Sequence, residues 1–227
     1  MLNLFKLIIH CLIIVVIDGV EYLTSCNEIL PKLADWLKQG STDARNLVDF
    51  PWEVSIIDNN TLKAIYPRFP AEILVSCDDK LGIIRLSTSL NIETISLNTN
   101  DRLIVYRKLL RRNNVPLVKY SLIGDEDLLT LNVDLSIKSL GKEEFNDALA
   151  MLLSGIVDAV KMLGIEEYYQ QILMLELVDL VKKHVDEGWG REKLYNYLVR
   201  TVGLSEEEAR EILNSMFSRE GGAGVYI

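Results

Sequence analysis

Apolar positions recur at helical spacing from Asn27 onward: Ile29, Leu30, Leu33, Ala34 and Leu37 share one side, and Gly40 reads as the closing C-cap. Gly40-Ser41-Thr42-Asp43 is a loop by composition. Three strand-like runs follow at 52–57, 72–77 and 82–87, with Asp58-Asn59-Asn60 turning the chain after the first and Asp78-Asp79-Lys80 joining the other two as a hairpin. Asn98, Thr99 and Asn100 then offer N-caps for a helix over 101–112. On a helical wheel Leu103, Tyr106, Leu109 and Leu110 share a face, which predicts packing on a sheet through that face. A second hairpin is expected from strands 117–123 and 128–137, turned by Gly124-Asp125-Glu126-Asp127; Leu129, Leu131, Val133, Leu135 and Ile137 alternate with mainly polar neighbours. A long helix over 142–163 carries Phe145, Leu149, Leu152, Ile156 and Val160 on its apolar side, and Gly164 breaks it.

The order α-β-β-β-α-β-β-α, with long hairpins and helices laid against a sheet, predicts an α+β sandwich over 27–163 rather than a doubly wound parallel sheet. A helical C-terminal module over 165–227 follows. Its first helix, 166–187, has only a narrow polar stripe of Glu176, Asp179, Lys183 and Glu187, so it must be covered on more than one side: by the α+β domain and the next helices, or by a second copy in a homodimer. Gly188-Trp189-Gly190 leads into a helix over 191–201, and Ser205-Glu206-Glu207-Glu208 opens another with a capping-box pattern. Leu194, Tyr197, Leu198, Ile212, Leu213 and Phe217 form the expected small core. The tail holds Gly221-Gly222-Ala223-Gly224, and Val225-Tyr226-Ile227 is a candidate for docking on a sheet edge.

Residues 1–26 stand apart. Lys6 precedes an apolar stretch over 7–17, too short to span a bilayer. A secretory signal or anchor is one reading, and Leu23-Thr24-Ser25-Cys26 resembles a lipoprotein cleavage box; Asp18, Glu21 and the missing small-residue site speak against it. A β-strand through Ile13-Ile14-Val15-Val16-Ile17, or a start site further downstream, competes.

The patterns of Tyr106–Asn114, Val118–Ile137 and Lys142–Val160 — a helix ending in Leu109-Leu110 before Asn113-Asn114, a hairpin with an acidic turn, and a helix opening on Glu143-Glu144-Phe145 — resemble the YbjN-like family. That family shares the fold of class I type III secretion chaperones. The resemblance covers about 27–163. It implies a non-enzymatic protein, a regulator or a chaperone that binds extended partner segments, often as a dimer, and it transfers no site residue.

Composition and charge narrow the chemistry. Apolar residues make up 49% and charged residues 25%, and the net charge of −9 argues against general nucleic-acid binding, which rests on phosphate neutralisation. The C-terminal module, with 12 acids against 7 bases over 165–227, is an improbable DNA reader. Cys11, Cys26 and Cys77 lack CxxC spacing and suit a reducing, cytoplasmic setting, with neither a disulfide framework nor a zinc site; secretion or membrane anchoring is the alternative if 1–20 is a signal. With only His10 and His184, a histidine-rich metal site is excluded. Asp78-Asp79 and Asp125-Glu126-Asp127 read as turn acids, Cys77 as a buried strand cysteine, and Trp36, Trp52 and Trp189 as core anchors. No catalytic residue, metal site or cofactor is assigned. The one candidate binding surface is basic: Arg107, Lys108, Arg111 and Arg112 fall within about 140° of one helix and suit an acidic or phosphate-bearing partner. A solvated helix face whose last bases complement the dipole is the bland alternative. A protein-binding adaptor or chaperone-like protein, possibly homodimeric, is the expected function. A regulator using the basic face on an acidic or nucleic-acid partner is one alternative, and an enzyme built on Cys77, Asp78 and Asp79 is another.

Overall fold

A computed structural model describes residues 25–220. The readings of the apolar run, of His10 and Cys11, and of the tail after Glu220 lie outside the described residues.

Helix α1 (Cys26–Lys38) buries Ile29, Leu30, Leu33, Ala34 and Leu37, the side its spacing predicts. It ends at Gln39 rather than at Gly40. Gly40 is required for a different reason: a Cβ there would stand 2.2 Å from the backbone carbon of Phe50, so the next loop packs onto a bare Cα.

Four strands follow, not three: β1 (Glu53–Asp58), β2 (Thr61–Tyr66), β3 (Phe69–Asp78) and β4 (Ile83–Glu93). Strand β2, absent from the expected order, is short and buries only Leu62 and Ala64 towards α1. Helix α2 (Thr99–Arg112) is capped by Asn98, whose side chain accepts from the Asp101 backbone N–H. Then come β5 (Lys119–Ile123), β6 (Leu128–Ser136) and α3 (Lys142–Leu163), which closes on Gly164 at φ 73°. All six strands form one antiparallel sheet in the order β1-β2-β3-β4-β6-β5, leaving β1 and β5 as edges.

Alternation sorts the sheet's two faces. Ile73 and Val75 of β3, Ile84 and Leu86 of β4, and Leu129, Leu131, Val133 and Leu135 of β6 turn towards α1 and α3 and form the main core with Phe145, Leu149, Leu152 and Ile156. The opposite face is mostly polar: Arg85 and Asp134, paired across β4 and β6, make a two-pronged ion pair of 2.6 and 2.8 Å.

Part of that polar face is covered by α4 (Glu166–Asp186), which crosses it over β3. Tyr169, Ile172 and Leu173 of α4 join the main core, whereas Leu177, Leu180 and Val181 join a second, smaller core. The second core is completed by α5 (Arg191–Asn196), a π-helical turn over Tyr197–Val202, and α6 (Glu206–Glu220). Ser205 and Glu208 cap α6 reciprocally, as the capping-box pattern predicts. The wide apolar arc of α4 is therefore covered by the sheet and the last helices of the same chain; Met174 and Leu175 remain exposed.

Candidate functional site

Helix α2 sits beside the β5 edge and is rotated from the expected orientation. Leu109 is buried and Val105 and Tyr106 are partly buried, but Leu103 and Leu110, expected to pack on the sheet, are 55% and 69% exposed. Two polar anchors set the rotation. The Tyr106 hydroxyl donates to the Asp127 carboxylate at 3.1 Å and meets the Thr94 hydroxyl at 2.9 Å. The Arg102 guanidinium donates to the Leu97 carbonyl. Tyr106 belongs to the face expected to pack, and Arg102 lies beside it on the flank away from Leu103 and Leu110.

The rotation splits the basic quartet. Arg112 clasps Asp158 of α3 with two hydrogen bonds, and Lys108 donates to the Met162 carbonyl at 2.8 Å. The paired guanidinium holds the Asp158 carboxyl below its ordinary range. These two bases fasten α2 onto the last turns of α3. Arg107 and Arg111 point away, and neither forms an ion pair with a described residue.

A concave site lies elsewhere, between α4 and the polar face of the sheet, with a volume of about 320 Å³. Its sheet side presents Leu74, Ser87, Ser89, Leu128 and Thr130; its helix side presents Ile172 and Leu173; Ile123, at the end of edge strand β5, stands at its margin. The floor is fixed by cross-strand bonds: the Ser121 and Thr130 hydroxyls meet at 2.8 Å, and Asn132 donates to Ser121 at 2.6 Å. At one end burial, reinforced by Glu72 and Asp179, raises the Glu176 carboxyl above its ordinary value. The arrangement offers apolar walls with side-chain hydroxyl groups between them, the general composition of a binding cleft. None of these residues is a candidate by sequence motif. A signal is present nonetheless: Leu74 and Leu128 are apolar on a face that also carries Glu72, Ser76, Arg85, Ser87, Ser89, Thr130, Asn132 and Asp134.

A family model described as a domain of unknown function, DUF8183, matches residues 32–163, the sheet with its helices α1 to α3. The chain belongs to the DUF8183 family. A second model, HTH_78, also described as a domain of unknown function, matches residues 164–221, that is α4 to α6. The likeness to the YbjN-like family rests on the sequence patterns alone. No curated protein matches the chain. Among solved structures, one chain of the heterodimeric complex ExoU-SpcU from the type III secretion system of Pseudomonas aeruginosa is 18% identical, with a TM-score of 0.40, over 57% of this chain and 96% of that one.

The cysteines require a correction. Cys26 and Cys77 are joined in a disulfide, with Cα atoms 5.6 Å apart across a sequence separation of 51. Neither spacing nor an even count announces the pair; it forms because the first turn of α1 lies over the end of β3. Asp79 completes the corner by accepting the Cys26 backbone N–H at 2.8 Å, while Asp78 accepts the backbone N–H groups of Lys80 and Leu81. The residues considered for an enzyme are thus held in a disulfide and in turn hydrogen bonds. Asp127 likewise serves α2 through Tyr106.

The joint between the DUF8183 region and the C-terminal segment carries the second histidine. His184 is 1% exposed; its Nε2 faces Glu53 of β1 at 3.1 Å and its Nδ1 faces Glu187 at 3.0 Å. Its ring stacks on Trp189 at 3.9 Å, and Tyr197 abuts it edge-on. A carboxylate accepts, so this setting favours the charged imidazole, the form that donates from both ring nitrogens. Burial pulls its pKa down, but the bonds and charges of Glu53 and Glu187 outweigh burial and hold it above the ordinary value. Lys193 lies over the Trp189 ring at 3.6 Å.

Proposed function

We propose that the chain is a non-catalytic, chaperone-like protein-binding adaptor that holds an extended partner segment in the groove between α4 and the sheet. The groove carries this reading: it joins apolar walls to a row of side-chain hydroxyls beside an edge strand. An extended segment entering there can place side chains against Leu74, Leu128, Ile172 and Leu173 and hydrogen-bond to the Ser and Thr floor. The chemistry of the described residues supports a binding rather than a catalytic role. Cys77 is paired, and His184 is enclosed between two carboxylates and an indole, out of reach of a substrate.

The cytoplasmic reading rested on unpaired cysteines, and that premise no longer holds for Cys26 and Cys77. An oxidising compartment, or a cytoplasm that tolerates disulfides, satisfies the pairing. No helix among the described residues is long and apolar enough to cross a membrane. A homodimer formed through the α4 arc would use its exposed apolar residues, Tyr168, Met174 and Leu175.

The test places a photo-crosslinking residue at Ile123 in the native organism and identifies the adduct. We expect one partner, joined through an extended segment whose synthetic peptide binds the purified chain, with Ile123→Glu weakening it at least tenfold. Adducts spread over many unrelated proteins, or a peptide indifferent to Ile123→Glu, would overturn the assignment.

A further inference from the structure

The outward face of α2 mixes apolar with basic side chains. Leu103, Ile104 and Leu110 are 55%, 53% and 69% exposed, and Arg107 and Arg111 lie between them; at 100° per residue the five fall within about 120° of arc. Helix faces turned to water carry polar residues. Three large apolar side chains on one face of a 14-residue helix, when the other bases of that helix are occupied in fastening it down, mark a surface made to be covered.

We infer that this face of α2 docks an acidic amphipathic helix of a partner protein. The inference rests on the reading of the chain as a protein-binding adaptor and adds a second contact to it, apart from the groove. Length and charge define the occupant. Helix α2 is about 21 Å long, so a partner helix of about four turns can lie along it. Its contact stripe repeats apolar residues at i, i+3/i+4 and i+7 to meet Leu103, Ile104 and Leu110, and acidic residues flank the stripe to meet Arg107 and Arg111. The remainder of the chain favours the same partner: with a net charge of −9, local attraction for an acidic helix exists only where positive charge is gathered and unpaired, and Arg107 and Arg111 have no acid among the described residues. Lipid recognition of a polybasic kind uses about four to eight Lys or Arg residues, and this face has two free. Nucleic-acid binding would set three exposed apolar side chains against a sugar-phosphate backbone and leave them without a partner.

Fluorescence anisotropy on the full chain tests the inference. The probes are a small panel of labelled 18-residue helical peptides with Leu at i, i+3/i+4 and i+7 and Glu on both flanks, a matched panel with Lys in place of Glu, and vesicles containing phosphatidylserine. We expect the Glu peptides to bind, to weaken with added salt, and to bind at least tenfold better than the Lys peptides. The double variant Arg107→Glu/Arg111→Glu reverses that preference, Leu103→Ser/Leu110→Ser removes binding of both panels, and circular dichroism confirms that both variants stay folded. Binding of vesicles but not peptides, equal affinity for both panels, or no peptide binding would each overturn the inference. Ile123→Glu should leave the Glu peptides unaffected, so failure here and failure of the groove reading are separately visible.

Discussion

Reducing the Cys26–Cys77 disulfide should destabilise the chain by a predictable amount. A cross-link spanning 51 residues removes about 14 cal/mol/K of loop-closure entropy from the unfolded chain, or about 4 kcal/mol at 25 °C. Cys26 and Cys77 are both buried, Cys26 is the first residue of α1, and its N–H is held by Asp79, so the native corner survives reduction and the effect falls mainly on the unfolded state. For a guanidinium m-value of about 5 kcal/mol/M, 4 kcal/mol lowers the unfolding midpoint by about 0.8 M. The assay follows tryptophan fluorescence against guanidinium with and without a non-thiol reductant, beside a thiol titration of the denatured chain. Two more thiols should react after reduction than before, and the double variant Cys26→Ala/Cys77→Ala should ignore the reductant. Equal thiol counts, or a midpoint shift below about 0.2 M, would refute the pairing or its entropic account.

Two further outcomes are expected. His184→Ala removes two charge-assisted hydrogen bonds and a stacked ring, and should cost about 3 kcal/mol in chemical denaturation. Its folded-state pKa is raised, so the stability it contributes is full below about pH 6.5 and fades as pH rises through the raised value; Glu53 is depressed and acts oppositely, its share lost as pH falls through its lowered value. The wild-type chain should therefore lose stability from pH 5.5 to 8.5 and the variant much less; equal slopes would dismiss the charged-imidazole reading. Gly40→Ala forces a Cβ into the Phe50 backbone and should cost on the order of 3 kcal/mol, seen as a lowered melting temperature, whereas a neutral effect would show that the loop shifts freely.

Much of the fold was legible because its signals are local. The buried side of α1, the alternation of β6, the Gly164 stop and the Ser205–Glu208 box depend only on residues within a turn or a strand of one another. What escaped depends on tertiary partners. Strand β2 presents only Leu62 and Ala64 to the core, too little for a pattern to stand out, and Pro70 hides the start of β3. The rotation of α2 follows from Asp127 and Thr94 reaching Tyr106, and the split of the basic quartet follows from Asp158 lying 46 positions beyond Arg112. The groove draws on five elements, β3, β4, β5, β6 and α4, so no window of sequence contains it.

Helix α4 contributes side chains to both cores along an axis of about 31 Å. In mechanical terms it is a beam clamped at one end to the sheet and at the other to the last helices, with Glu53 and His184 as the weld between them. A load applied to the C-terminal helices would reach β1 through Glu53 and β3 through the packing of this beam, together with the groove wall that Ile172 and Leu173 form. One wall of the groove and part of the second core are thus carried by the same 21 residues.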